Sequence, residues 1–458
     1  MTTINSIENR GRFSTDLPQS NALLSEVFLF ITGGFHLAVS VGWSVIAFNL
    51  HFQICWFIGI AIGCVLAPLI ALWKYKRLII FSPILMVNVS AIVSITASSN
   101  TTALIAARYL NGIAIGLITV SFIADGSEIA SEYHRSFCLA LEQLGLAIGA
   151  FIQIIYTAAW REDTDFNPYC LQGIFCIVFG IIATALTFTS IDSPVLQLRR
   201  GDEPEALNCV IRLYRPTIMN NSKQAIFNKL KEYVAMNESM PPGMCFLWSL
   251  SPLIRLLVYR TMLSFIVALP ITKALNWSAD ISVGGLNVNW PPILYGFLTL
   301  LGVVVGTVTN YAIGRKAVSL ISLLCVAGLT IGVGVIFHDS TWLIGSTQMA
   351  IACTLLMIAQ IFGGIFAPST TIYLGEAFPL QWKRYFIAFT VIVQYMVDLI
   401  IVCKFTFDGY NEYIFCISAG VIIFAGVVFF SITMPETRKA TLREAQEKFS
   451  YALHLEFY

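Results

Sequence analysis

The chain has 458 residues, of which 57% are hydrophobic and only 12% charged, with a formal net charge of +1 and a mean hydropathy of +0.77. That is more apolar surface than a soluble domain of this length can hide, so the composition predicts an all-α polytopic membrane protein. The few cations sit in short clusters between apolar runs and carry no nucleic-acid signal, and the eleven cysteines, such as Cys64, Cys138 and Cys403, lack metal-ligand spacing.

A bilayer core about 30 Å thick needs about 20 apolar helical residues to cross it, because backbone polar groups cannot stay unpaired in lipid. The first 20 residues are polar and lack the apolar core of a cleavable signal, so residues 1–26 read as a cytoplasmic tail before an uncleaved first span. Qualifying runs follow near 27–48, 54–73, 78–99, 104–124, 137–158 and 170–190, which make an N-terminal six-helix bundle over 27–190. A polar linker of 191–253 contains "RRGDEPEALNCVIRLYRP", where Asp202, Pro204 and Glu205 open a short helix and Pro216 stops it. Runs near 254–275, 291–313, 317–337, 343–374, 385–405 and 412–434 form a second bundle of six over 254–434. In the tail, 435–458, Thr441 and Glu444 form a capping box that opens an amphipathic helix. The predicted architecture is therefore twelve transmembrane helices in two sixes, with short cytoplasmic helices beneath them.

With the N-terminus inside, Arg10, Arg12, Lys74, Lys76, Arg77, Arg135, the linker, Arg315, Lys316, Lys383 and Arg384 all fall on the cytoplasmic side, and the outer loops receive little beyond Arg161. This asymmetry predicts both termini in the cytoplasm. The outer loops also hold two glycan-acceptor triplets, at Asn100 and Asn276, which are common by chance.

Two segments repeat a pattern about 250 residues apart. "FIADGSEIASEYHR" closes the fourth span with Glu128 and Arg135, and "IYLGEAFPLQWKRY" closes the tenth with Glu376, Lys383 and Arg384. One copy alone reads as a positive-inside anchor with an incidental acid. Two copies in register read as a latch, closing one half against the other on the cytoplasmic side while a midplane site faces out.

The ordered motifs make the chain resemble the sugar porter family of the major facilitator superfamily over nearly its whole length. "GRKAVSLISLL" from Gly314 resembles the family's G-R-[RK] loop and adds Gly314, Arg315 and Lys316 to the implied cytoplasmic gate; "YKR" at Tyr75 is a degraded counterpart. "ARYLNGIAIG" is similar to the family's fourth span, with Arg108 as the matching cation. "AWRED" matches the Trp-Arg pair after the fifth, and "DSPVLQLRRGDEPEAL" stands where the family has P-E-S-P-R before a short helix. Pro435, Glu436 and Thr437 open a tail close to P-E-T-K-G-x-T-L-E-E. "SVGWSVIAF", with Trp43, resembles the Gly-Trp-Ser of the insect facilitated trehalose-transporter-like branch. The resemblance implies alternating-access transport of a small polar solute, a sugar or disaccharide, in the plasma membrane, with the lipid bilayer as the other partner and no cofactor or metal.

The substrate region departs from that pattern. The family's seventh-span Gln-Gln pair is absent from "LIRLLVYRTMLSFIVALPITKALN", and Thr371 stands where a tryptophan usually does, although Pro368 and Pro270 keep the expected helix breaks. Gln143 in "LEQLGLAIG" matches the family's fifth-span glutamine. Ionisable groups within spans add candidates: Arg260, Lys273, Asp398 and His36, with a Lys273 to Asp398 pair across the second half as one arrangement. Lys273, Lys404 and Glu142 read first as snorkelling or interfacial residues. His36 reads first as an interior hydrogen-bonding group and second as a proton carrier. The first-span carboxylate of proton-coupled relatives is missing, which favours facilitated diffusion. The acids of the G-R-[RK] loops are replaced by Leu72 and Tyr311, which predicts a weaker latch. Two rivals stay open: a transporter of a non-sugar solute such as an organic anion, and a non-transporting, sensor-like relative. No nucleophile elbow, HExxH or phosphate loop suggests an enzyme.

Overall fold

The computed structural model describes residues 18–45, 49–71, 76–160, 166–215, 217–283, 289–339, 341–405 and 410–451. Arg10, Arg12, Leu72, Lys74, Tyr75, Arg161 and Pro216 lie outside the described residues. Every regular element among the described residues is helical. The first half contains α1 (Leu24–Ser40), α2 (Leu50–Ile70), α3 (Lys76–Thr96), α4 (Thr101–Ile129), α5 (Arg135–Ala159) and α6 (Pro168–Leu186). Three linker helices follow, α7 (Pro194–Arg199), α8 (Glu203–Leu213) and α9 (Asn221–Ser239). The second half contains α10 (Pro242–Ile266), α11 (Leu269–Val283), α12 (Trp290–Ala312), α13 (Arg315–His338), α14 (Ser346–Glu376), α15 (Lys383–Lys404) and α16 (Tyr410–Thr433), and the tail forms α17 (Leu442–Ser450). Eleven apolar stretches are long enough to span a membrane, and α1 is a shorter twelfth. The chain is a multi-pass integral membrane protein of twelve spans, with α10 and α11 sharing the seventh.

Local chemistry explains the helix starts. Asn49, Asn100 and Asn167 cap α2, α4 and α6 through side-chain oxygens that accept backbone N–H groups. Asp202 caps α8 through the Glu205 N–H, and Thr441 and Glu444 complete a reciprocal capping box at α17.

Two span limits and one helix break differ from the sequence expectation. The first helix stops at Ser40 rather than near 48, because Gly42 takes φ +105°, a conformation that ends an α-helix, and a Cβ there would meet Leu269 at 2.8 Å. The seventh begins at Pro242, twelve residues early: Pro241-Pro242 supplies a helix start, and "CFLWSL" continues the apolar run. It then breaks between Ile266 and Leu269, just ahead of Pro270. Pro368, expected at a break, instead lies inside the continuous 31-residue α14. Packing against neighbouring helices keeps that segment helical despite the hydrogen bond that proline removes.

Equivalent helices make equivalent contacts in the two halves. The α2–α4 pair closes so tightly at Gly59 and Gly112 that a Cβ on Gly59 would lie 2.7 Å from the Tyr109 carbonyl, and the α12–α14 pair does the same at Gly302 and Gly364. Small residues let backbones meet where lipid gives no hydrophobic drive for helix association. The halves face each other through α5 against α12 and α2 against α15, with α4, α5, α14 and α15 converging at one end. That end also carries α7, α9 and α17, and is called the linker side below.

Candidate functional site

At the linker side the two repeated segments come together, and their charges pair across the halves. Arg135 at the start of α5 reaches Glu376 at the end of α14, Nη1 to Oε1, at 3.2 Å. Lys383 at the start of α15 lies 3.2 Å from Glu128 on α4, and Arg384 lies 2.6 Å from Asp125. Each half carries both signs here: α4 ends in Asp125 and Glu128 and α5 starts with Arg135 in the first half, α14 ends in Glu376 and α15 starts with Lys383 and Arg384 in the second, and each acid meets a cation of the other half. Glu128 therefore pairs with Lys383 rather than with Arg135 of its own segment. Asp125 was not singled out in the sequence, although it lies in the same heptapeptide as Glu128; only the three-dimensional register shows its partner.

Arg315 adds a second cation to Glu376 and donates to Thr437 at 2.7 Å and to Ser136 at 2.9 Å. Arg315, Arg135 and Glu376 are at most 4% exposed. The replaced loop acid beside Arg315 is thus compensated by Glu376 and by the tail. Gly314 holds φ +138°, and a Cβ there would meet Glu436 at 2.9 Å, so glycine lets Glu436 reach the Lys316 N–H at 3.0 Å. The Pro435 carbonyl accepts from Tyr373 at 3.1 Å, and the Ala440 carbonyl accepts from Arg135 at 3.0 Å. The tail is therefore part of the closure. Beneath it lies a cleft of about 340 Å³ lined by Glu132, Arg135, Lys229, Tyr233 and Glu444, among others. Burial pushes the Glu132 carboxyl above its ordinary value there, with Lys229 and Arg135 pulling the other way.

A second polar cluster sits about 10 Å deeper, seven residues along α5 at 1.5 Å each. Glu142 and Gln143 from the first half meet Arg260 of α10, Thr371 of α14 and Gln394 of α15. Arg260 donates from Nη2 to Glu142 at 2.9 Å and from Nε to Gln394 at 2.6 Å. Thr371 donates to the other Glu142 oxygen and accepts from Gln143 at 3.4 Å. Glu142, expected at an interface, is instead fully buried. Its partner lies 118 residues away on another helix, a pairing no local pattern reveals.

Other candidates lie elsewhere. His36 is buried beside Arg108, whose guanidinium donates to the Phe52 carbonyl at 2.9 Å and to Ser40 at 2.6 Å, and faces the Phe52 ring at 4.7 Å. Among the described residues no carboxylate pairs with Arg108. Trp43 lies at the far end of the bundle, its ring 5.7 Å from Tyr295 of α12 and its carbonyl accepting from Gln153 and Thr157. The Lys273 to Asp398 pair does not form. Lys273 is exposed on α11, while Asp398 is buried on α15 with the Ser264 hydroxyl beside it. Lys404 is exposed at the end of α15.

Among solved structures, the chain is similar to the proton:xylose symporter XylE bound to 6-bromo-6-deoxy-D-glucose, with TM-score 0.78, 15% identity and coverage of 94% of this chain and 99% of that one. The inward-open XylE structure from E. coli matches at TM-score 0.56 and 16% identity, over 94% and 98% of the two chains. Among curated proteins, "Hexose transporter 1" of Plasmodium falciparum is 23% identical over 377 residues, 76% of this chain and 71% of that protein. The protein of the same name from Plasmodium knowlesi is 24% identical, over 72% and 68%. A twelve-span fold in two halves that clasp each other through buried ion pairs is the architecture of a carrier. With residues 50–449 matched by the family model described as "Sugar (and other) transporter", the chain belongs to that family of major facilitator transporters and is not an enzyme.

Proposed function

We propose that the protein carries a small sugar-like solute by facilitated diffusion, exposing the cluster around Gln143, Arg260 and Thr371 to each side of the plasma membrane in turn. The observation that carries this reading is that three ion pairs at the linker side, Arg135–Glu376, Lys383–Glu128 and Arg384–Asp125, run between the halves. Rocking the halves apart must break them, so they serve as a gate. The concentration of cations on that side supports placing it, with both termini, in the cytoplasm.

Gradient independence is supported by Arg108, whose neighbours are His36, Ser40 and Phe52 rather than a titrating carboxylate. The Gly42-Trp43-Ser44 turn keeps a disaccharide such as trehalose among the solutes to test. In proteoliposomes, labelled glucose or trehalose should enter saturably, at a rate unchanged by an imposed proton gradient. Accumulation driven by the gradient would contradict uncoupled transport, and failure to move either sugar would contradict the substrate class.

A further inference from the structure

We infer that Glu142 and Arg260 form a charge-compensated pair that sets the solute site to neutral solutes, with Arg260 Nη1 left as a donor for a solute oxygen. This deepens the transport reading above and rests on it.

Taken alone, the arginine that replaces amides in the seventh span would make an anion site. The geometry cancels that charge. Arg260 is 1% exposed and Glu142 fully buried, and their 2.9 Å contact puts one positive and one negative charge side by side. A buried ion without such a partner is strongly disfavoured, so neither residue is tolerated here without the other.

The rest of the arginine head shows where a solute meets it. Nη2 is used by Glu142 and Nε by Gln394, while Nη1 is buried with no hydrogen-bond partner. A buried guanidinium nitrogen left unpaired is costly, and a solute oxygen would satisfy it. The Gln143 amide and the Thr371 hydroxyl, from opposite halves, join the same cluster through the Glu142 carboxylate. Donors and acceptors therefore alternate across the plane where the halves part, which suits vicinal hydroxyls. An anionic solute would meet the Glu142 carboxylate, and a cationic one the Arg260 guanidinium. Like-charge contact rejects both, which is specificity by repulsion.

The test is uptake in proteoliposomes of glucose, glucuronate and glucosamine held protonated. In the wild-type protein both charged sugars should inhibit glucose uptake at least about tenfold less well than unlabelled glucose does. Glu142→Gln leaves Arg260 uncompensated and should raise the glucuronate-to-glucose uptake ratio by about tenfold or more; Arg260→Gln leaves Glu142 uncompensated and should raise the glucosamine ratio similarly. The double variant with both glutamines should return to neutral preference.

Charged sugars that inhibit the wild-type protein as well as glucose does would overturn the inference whether or not either variant folds. Ratios unmoved in a folded single variant would overturn it too while leaving sugar transport standing. A wild-type protein that moves glucuronate in preference to glucose, or moves no sugar, would overturn the transport reading as well.

Discussion

Glu376→Gln is expected to open the linker side and reduce transport by about tenfold or more, because one carboxylate serves two arginines there. Without it, Arg135 and Arg315 remain buried against each other with only hydroxyls and carbonyls as partners. Removing one member of a buried ion pair costs about 3–5 kcal/mol, and the share that belongs to the Arg135 contact, which crosses between the halves, falls on the closed state alone. About 3 kcal/mol is more than a hundredfold in the ratio of closed to open protein. Cys138 reports the change directly. It lies one helical turn beyond Arg135 and is only 1% exposed in the closed form. In a variant retaining Cys138 as its only cysteine, Glu376→Gln should speed modification by a linker-side thiol reagent at least about tenfold. An unchanged modification rate, in protein made at normal levels, would mean that Glu376 does not hold the gate.

Arg255→Ala is expected to release the tail. Arg255 on α10 gathers the ends of two helices: it donates to the Thr433 carbonyl at 2.7 Å, the Tyr451 carbonyl at 3.1 Å and the Phe449 carbonyl, and its head lies 5.8 Å from the Phe449 ring. Thr433 closes α16 and Phe449 lies in the last turn of α17, so the cation sits against the negative ends of both dipoles. Losing these charge-assisted bonds should cost roughly 2–4 kcal/mol of docking energy for α17. The tail also supplies Thr437 to Arg315 and the Ala440 carbonyl to Arg135, so its release should loosen the gate as well. Limited proteolysis should cut the variant near α17 at a protease level that spares the wild-type protein, and linker-side labelling of Cys138 should rise. Arg255→Lys, which keeps a point charge without the fork, should fall between the two. A tail equally resistant in all three proteins would rule out this clamp.

Much of the fold was legible in the sequence because the bilayer imposes a length rule. A run of about 20 apolar residues has few alternatives to a helix, so twelve spans could be counted without knowing their neighbours. Limits failed where a local conformation or an interfacial extension intervened, as at Gly42 and at Pro241-Pro242. The residues of the proposed gate were visible as types and spacing; their partners were not, since register along a helix says nothing about which helix lies opposite. Glu142 shows the limit most clearly. Its position in α5 suits an interfacial acid, and only the approach of Arg260 from α10 makes a buried carboxylate tolerable. The exposed Lys273 failed to meet Asp398 for a related reason: the break after Ile266 starts a separate helix, α11, and resets which face its residues present.

The most direct test of a gate made between the halves is a charge exchange at Glu128 and Lys383, which pair at 3.2 Å with both side chains nearly enclosed. Uptake should be compared in Glu128→Lys, Lys383→Glu and the protein carrying both. Each single change places two like charges together and should depress transport severely, while the double exchange restores opposite charges and should recover most of it. A double variant no better than the worse single one would contradict a cross-half latch at this position.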